Sequence, residues 1–277
     1  MLFLFVLLLS LTGMLKAQVT TAGMSGKVMA DEESVIGATV VAVHEPSGTS
    51  YGTVTNVDGR FSLQGMRSGG PYKVTVSYIG YQTAIYTDIQ LQLGETYSLN
   101  VTLHEASELL GEITITASKS KFSAEKTGAT TNISSEQLTT LPSINRSISD
   151  FTRISPYASG NSFGGRDGRS NTFTVDGANL NNNFGLSSGL PGGGNPISLD
   201  AIDEVQVVIA PYDVRQANFI GAGINAITKS GTNAYRGSAY MYFNNEVMRG
   251  NKIGDTDFGV RAEESKTVYG ATFGGSI

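Results

Sequence analysis

The chain has 277 residues, a formal charge of −5, and neither cysteine nor tryptophan. Without cysteine there are no disulfides, thiolate metal sites or cysteine nucleophile, and a mildly acidic balance argues against nucleic acid as a partner. Charged residues make up 16% and hydrophobic residues 40%, with 34 glycines, a balance that suits turn-rich β structure and is too apolar for disorder.

The first residues, "MLFLFVLLLSLTGMLKAQ", hold an unbroken apolar run from Leu2 to Leu9. The run is too short to cross a bilayer as a helix. A small residue, Ala17, then precedes Gln18. The expectation is a secretory signal peptide over residues 1–17. No later stretch reaches the ~18 apolar residues of a transmembrane helix.

From Met24 to His104 short alternating runs are separated by turn signals. "GKVMA", "GATVVAVHEP", "TSYGTVTN", "GRFSLQGM", "YKVTVSYIGYQ" and "TYSLNVTLHE" follow one another, punctuated by Pro46-Ser-Gly, Asp58-Gly and Gly69-Gly-Pro. Val74, Val76 and Tyr78 share one face, and Leu99, Val101 and Leu103 another. Roughly seven strands at this spacing predict a β-sandwich. "GTSYG" around Ser50 matches a nucleophile-elbow pattern, but that motif needs a strand–turn–helix context, and here "TVTN" continues as strand. His44 and His104 fall at strand ends as packed or solvated side chains. With no HExxH motif, no zinc site is expected. No catalytic residue, metal ligand or cofactor is expected anywhere in the chain.

"LLGEITITAS", residues 109–118, is a lone strand pattern in which Ile113 and Ile115 alternate with Glu112, Thr114 and Thr116. A single strand is unstable in water, so it needs a partner. One candidate is another protein; the other is the preceding sandwich, of which it would be the last strand.

Residues 121–231 change character. "SSEQLTTLP" predicts a short helix capped at Ser134 or Ser135 and stopped near Pro142. "SINRSISDFTRISP" puts Ile144, Ile148, Phe151 and Ile154 on one helical face, with Ser143 as cap and Pro156 as stop. "NTFTVDG" predicts a strand into an Asp-Gly turn, and "NLNNNFGLSSGLPGGGNP" a long loop. "SLDAIDEVQVVIAP" predicts a helical turn running into a strand, Val205 to Ile209, and "GAGINAITKSGTN" a further strand. Gly221-Ala-Gly223 imitates half a dinucleotide fingerprint, but the extended residues after it exclude the required helix. Glycines here instead suit close backbone approach.

In the last stretch Tyr235, Gly237, Ala239, Met241 and Phe243 alternate with Arg236, Ser238, Tyr240, Tyr242 and Asn244. Tyr269, Ala271, Phe273 and Ile277 alternate with Gly270, Thr272 and Ser276. Segments of ~10 residues with this habit suit membrane-barrel strands, or an amphipathic hairpin of a soluble sheet.

These blocks carry two resemblances. "GKV", "GATVVA", "GTVTNVDGRFSL", "YKVTVSYIGYQ" and "LNVTL" resemble the carboxypeptidase-regulatory-like domain, a transthyretin- and carbohydrate-binding-like sandwich. That resemblance admits a sugar-binding reading in which Tyr78 and Tyr81 pair, beside the simpler reading that they pack. "GGRDGRSNTFTVDGANLNN" and "LDAIDEVQVVIAPYDVRQANFIGAGINAITKSGTN" resemble the plug of TonB-dependent outer-membrane receptors. The matching positions are Arg166, Asn171, Asp176 and Gly177, then Ile202, Glu204, Val205, Gly221, Gly223, Ile224, Asn225, Thr228, Lys229 and Gly231. "IAPYDVRQANFIGAG" departs from the usual Gly-Pro and Tyr-Gly and resembles the Oar-like subgroup, whose cargo extends to proteins or peptides.

The second resemblance makes Glu112, Ile113, Thr114, Ile115 and Thr116 a TonB box, bound by the periplasmic domain of TonB through strand addition. It makes Asn179, Asn181, Asn182, Asn183 and Phe184 part of a ligand loop facing an extracellular peptide, protein, glycan or chelate. Arg166, Arg169 and Arg215 would meet barrel-wall carboxylates.

The expected fold is therefore mainly β. A seven-stranded sandwich occupies residues 18–104, a box and linker 105–120, and an α+β plug 121–231. The first hairpin of an incomplete transmembrane barrel follows over 232–277, because barrels of the plugged type need ~22 strands. The barrel would sit in outer-membrane lipid with the sandwich in the periplasm. The alternative function is a carbohydrate-binding or cell-surface module anchored to the outer membrane.

Overall fold

The computed structural model describes residues 19–105, 113–116, 129–141, 147–181, 197–211, 216, 219–248, 250–259 and 262–275. The expected signal peptide lies outside them. The chain divides into two units, one ending at Ser230 and one running from Gly231 to Ile277. It is mainly β, and none of the described sheets closes on itself.

The first unit opens with β1 (Ala22–Ala30), β2 (Glu33–Ser34), β3 (Thr39–His44), β4 (Thr49–Val54), β5 (Arg60–Met66), β6 (Gly69–Ser77), β7 (Ala84–Leu91), β8 (Thr96–Ser98) and β9 (Val101–Leu103). Then comes β10 (Ile113–Thr116). One sheet is built on β1, which pairs antiparallel with β2 and β5 and parallel with β8 and β9. The other runs β10-β7-β6-β3-β4. The period-2 pattern puts alternate residues of both sheets into one shared core: Met24 and Val28, Val40 and Ala42, Phe61 and Leu63, Val74 and Val76, Val101 and Leu103. Burying each of these side chains other than Ala42 contributes about 1.5–3 kcal/mol.

The run "TYSLNVTL", which reads as one strand, is split in two. Leu99 N–H donates to Ser25 O at 2.8 Å, and Asn100 Oδ1 accepts from Lys27 N–H at 3.2 Å. The chain steps over Gly26 at that point, where a Cβ would stand only 1.8 Å from Leu99 O. Nine strands thus stand where roughly seven were expected, the added ones being short. Gly59 is another obligatory glycine: its φ is +71°, and a Cβ would meet Val28 O at 2.7 Å.

The rest of this unit contains β11 (Ala129–Ser134), α1 (Ser135–Thr140), α2 (Ile148–Thr152), β12 (Ala158–Ser159), β13 (Ser162–Phe163), β14 (Thr172–Val175), β15 (Ala178–Asn179), β16 (Ile202–Ala210) and β17 (Gly223–Thr228). A third sheet has the order β11-β16-β17-β14-β15. Its apolar face gathers Ile133, Leu138, Ile148, Phe151, Phe173, Ile202, Val205, Val207 and Ala226.

Of the two caps the sequence allows, Ser134 and Ser135, Ser134 caps α1, and its N–H donates to Gln137 Oε1 at 3.1 Å. The second predicted helix is shorter than expected. Among the described residues it runs from Ile148 to Thr152 behind Ser147, and Ile154 is 45% exposed; Ser143 and Ile144 lie outside the described residues. Ile154 and Ser155 close tight turns onto Phe151 and Thr152. That winding rotates Ile154 off the buried face, and Pro156 disfavours helix at Ser155. β16 also starts earlier than predicted, at Ile202.

The second unit is a ribbon of β18 (Arg236–Asn245) and β21 (Ser265–Gly274). A small hairpin, β19 (Lys252–Ile253) with β20 (Thr256–Asp257), lies in their connection. The long strands pair antiparallel from Arg236↔Gly274 to Asn245↔Ser265. This register aligns Gly237 with Phe273, Ala239 with Ala271 and Met241 with Tyr269, one face as the alternation predicts. On the other face the Tyr240 ring covers Gly270, where a Cβ would lie 2.5 Å from it. Met241, Tyr269 and Phe273 are all largely exposed.

Candidate functional site

The third sheet brings together two motifs about fifty residues apart. After β14 the chain reverses at Asp176 (φ +47°) and Gly177 (φ +82°), the paired positive values of a tight hairpin turn. The Asp176 carboxylate then captures the end of β17. Oδ1 accepts from Thr228 N–H at 2.9 Å and Oδ2 from the Thr228 hydroxyl at 2.7 Å. At the other end of the β14–β17 pair, Asn171 Oδ1 accepts from Ala222 N–H at 2.9 Å. Gly221 must be small there, since a Cβ would sit 2.3 Å from Asn171 Oδ1. Gly223 lies under the Phe219 ring and opens β17 as a strand, which rules out the helix of a dinucleotide fold.

The opposite face of this sheet is polar and buried. Asn225 Oδ1 accepts from Thr174 Oγ1 at 3.0 Å, and its amide donates to Val19 O at 2.8 Å. On β16, Glu204 and Gln206 grip one residue of the β7–β8 turn. Leu93 N–H donates to the Glu204 oxygens at 3.1 and 3.2 Å, and the Gln206 amide donates to Leu93 O. Both backbone polar groups of fully buried Leu93 are thereby satisfied by the third sheet.

Burial pushes the Glu204 carboxyl up to about 7. The Leu93 N–H opposes the rise, while the Asp203 and Glu95 carboxylates add to it and Ser68 opposes it. Asp203 is also raised by burial, against the pull of Lys229 and a hydrogen bond from Ser135.

The other expected site residues are placed less tightly. Arg166 is exposed in a turn, its N–H donating to Phe163 O at 3.0 Å, and does not join the Asp176–Thr228 cluster. Arg169 lies near Asp167, with Nε 3.8 Å from Oδ1. Lys229 N–H donates to Ala201 O at 2.8 Å. Asn181, expected in a ligand loop, is tied to its own hairpin. Its Oδ1 accepts from Phe173 N–H at 2.6 Å, and its N–H donates to Asn179 Oδ1 at 2.8 Å. Glu112, Asn182, Asn183, Phe184 and Arg215 lie outside the described residues.

In the first domain Ser50 sits inside β4, not at an elbow. His44 is buried against Tyr72, with Nδ1 2.7 Å from Ser47 Oγ, whereas His104 is exposed. Tyr78 and Tyr81 do pair, their ring centroids 5.6 Å apart, and Tyr81 packs partly on the core.

Of the two partners that the sequence allows for residues 113–116, the structure shows the preceding sandwich: β10 pairs in parallel with β7, from Ile113↔Ala84 to Thr116↔Thr87. An edge strand offers unpaired backbone groups to whatever extended segment is near, and the sequence that follows the sandwich supplies one. The sequence also gave no sign of Leu93 as the residue gripped by β16. Polar Glu204 and Gln206 alternating inside "IDEVQVVIA" were the available signal for a buried polar face.

The comparisons with known proteins fall on this geometry. Residues 23–104, which fall in the two-sheet domain, match the carboxypeptidase regulatory-like domain. Over 243 residues the chain is 24% identical to the TonB-dependent transporter Oar of Myxococcus xanthus, covering 81% of this chain and 22% of that protein. The chain thus spans less than a quarter of the curated relative it matches. Among solved structures, the siderophore receptor PirA from Acinetobacter baumannii is 23% identical with a TM-score of 0.33, over 43% of this chain and 19% of that one. A type II cohesin–X–dockerin complex from Acetivibrio cellulolyticus is 20% identical with a TM-score of 0.25, over 30% of this chain and 58% of that one.

Proposed function

We propose that this chain is the gating part of a TonB-dependent outer-membrane receptor of the Oar-like subgroup. The carboxypeptidase regulatory-like domain stands in the periplasm, residues 121–231 form the plug, and β18 and β21 begin the barrel wall. On the wall Tyr235, Met241, Phe243, Tyr269 and Phe273 face lipid, and apolar-out alternation over ~10 residues is what such strands require. TonB engages residues 112–116 by strand addition. The cargo is an extracellular peptide, protein, glycan or chelate.

The observation that carries this reading is the closure of the Asp-Gly motif on the Thr-Lys motif. The two stretches that resemble the plug signature meet through Asp176 and Thr228, at 2.9 and 2.7 Å. Their residues hold one sheet, which accounts for their spacing without any catalytic role. The curated relative that the chain matches is a transporter.

The test is binding of purified TonB periplasmic domain to this chain, with Ile115→Pro for comparison. Proline removes a backbone donor and breaks strand pairing. Measurable binding that falls at least ten-fold in Ile115→Pro supports the reading. Equal binding by both, or none by either, refutes the box.

A further inference from the structure

We propose that the grip of β16 on Leu93 is a proton-operated latch, through which the regulatory-like domain lifts off the third sheet, with both parts still folded, as the medium passes from acid to neutral. The latch requires neither the box nor the cargo of the reading above.

The junction can open without breaking a sheet. None of the described strands of the regulatory-like domain pairs with a strand of the third sheet. Side chains of the third sheet hold backbone groups of the domain instead. Glu204 and Gln206 take Leu93 N–H and Leu93 O, and Asn225 donates to Val19 O at 2.8 Å. Losing a few such bonds is a local opening, which lies below global unfolding in free energy.

The domain itself creates the environment of Glu204. The Leu93 N–H, the Ser68 hydroxyl and the Glu95 carboxylate on it all belong to the regulatory-like domain, and only Asp203 comes from its own strand. Lifting the β7–β8 turn removes the first three and admits water. The carboxyl is therefore raised to about 7 only while the turn covers it, and returns toward the ordinary 4.5 once the turn leaves. Between those values the docked state holds a proton that the lifted state has lost. Docking then weakens by up to about ten-fold per pH unit. The latch is firmest below 4.5 and reaches its loosest at about 7 and above.

The other charges around the junction do not cancel this. Glu95 on the β7–β8 turn and Asp203 on β16 both oppose ionisation of Glu204. Beyond β17, Lys229 acts on Asp203, to which Ser135 of α1 also hydrogen-bonds. β11 presents neutral Ser134 opposite Glu204. Arg67, next to Ser68, acts on Tyr72 and His44 inside the domain.

The test is native-state hydrogen exchange of the whole chain, read at Leu93 N–H at pH 5 and pH 7.5 with small additions of urea. Protection, corrected for the intrinsic effect of pH, should fall at least ten-fold from pH 5 to pH 7.5. It should depend little on urea, because lifting off exposes far less surface than unfolding. Glu204→Gln keeps an acceptor for Leu93 N–H and should reduce the fall to about two-fold. Glu95→Gln removes one of the carboxylates that raise Glu204 and should give a smaller fall than the parent. Three results overturn the latch. One is Leu93 protection within two-fold at the two pH values. Another is a Leu93 amide that exchanges only by urea-dependent global unfolding. The third is a fall of full size in Glu204→Gln, or in Glu95→Gln should Glu204→Gln fail to fold.

Discussion

Glu204 takes the backbone N–H of Leu93, 111 residues earlier in the chain, on both of its carboxylate oxygens at 3.1 and 3.2 Å. The contact joins β16 of the third sheet to the β7–β8 turn of the regulatory-like domain. It does so with a carboxyl that burial holds at about 7, in the company of Asp203 and Glu95.

A raised carboxyl binds its proton more tightly folded than unfolded. Its contribution is therefore fully present below the unfolded value of 4.5 and is lost as pH rises through about 7. Asp203 shifts in the same direction. Glu204→Gln keeps an acceptor for Leu93 N–H and removes the charge. The variant should be more stable than the parent at pH 8, by on the order of 3 kcal/mol, and close to it at pH 4. Urea midpoints at the two pH values check this; an unchanged difference between them would show that the carboxyl ionises freely.

His44 carries the opposite slope. Burial, and then Arg67, lower its affinity for a proton below the ordinary 6.5. The unfolded chain takes up that proton first, so stability falls as pH drops below about 6.5. His44→Phe, which keeps a ring against Tyr72, should flatten the loss between pH 7 and pH 5 when thermal midpoints are compared in the Glu204→Gln background.

Asp176→Ala removes both acceptors for Thr228 and places alanine at φ +47°. A loss of about 2–3 kcal/mol is expected. Asp176→Asn, which tolerates that φ and keeps one acceptor, should lose about 1 kcal/mol. Chemical denaturation of both variants gives the comparison, and equal losses would exclude backbone strain as the cause.

Two glycines of one motif should respond differently to alanine. At Gly221 the new Cβ would lie 2.3 Å from Asn171 Oδ1, the atom that accepts from Ala222 N–H, whereas at Gly231 nothing lies within 4 Å. Gly221→Ala should cost about 1–3 kcal/mol and speed amide exchange at Ala222. Gly231→Ala should change neither. A stable Gly221→Ala would mean that Asn171 has another rotamer available.

The sequence by itself determined the local elements. Period-2 alternation fixed β6, β14, β18 and β21, Ser134 announced α1, and Asp176-Gly177 announced a hairpin, because each depends only on neighbours within a few residues. It also determined the motif positions, since Asn171, Asp176, Gly221 and Thr228 are recognisable as a pattern before their contacts are known.

Tertiary structure alone decided which groups meet. It split β8 from β9 where Leu99 crosses Gly26, ended α2 before Ile154, turned Asn181 back onto Phe173, and gave β10 the edge of β7. It also chose Leu93 as the residue held by Glu204 and Gln206. These outcomes join residues far apart in the chain through backbone hydrogen bonds. Every residue except proline offers the same N–H and C=O, so the side-chain sequence carries no mark of which will be taken.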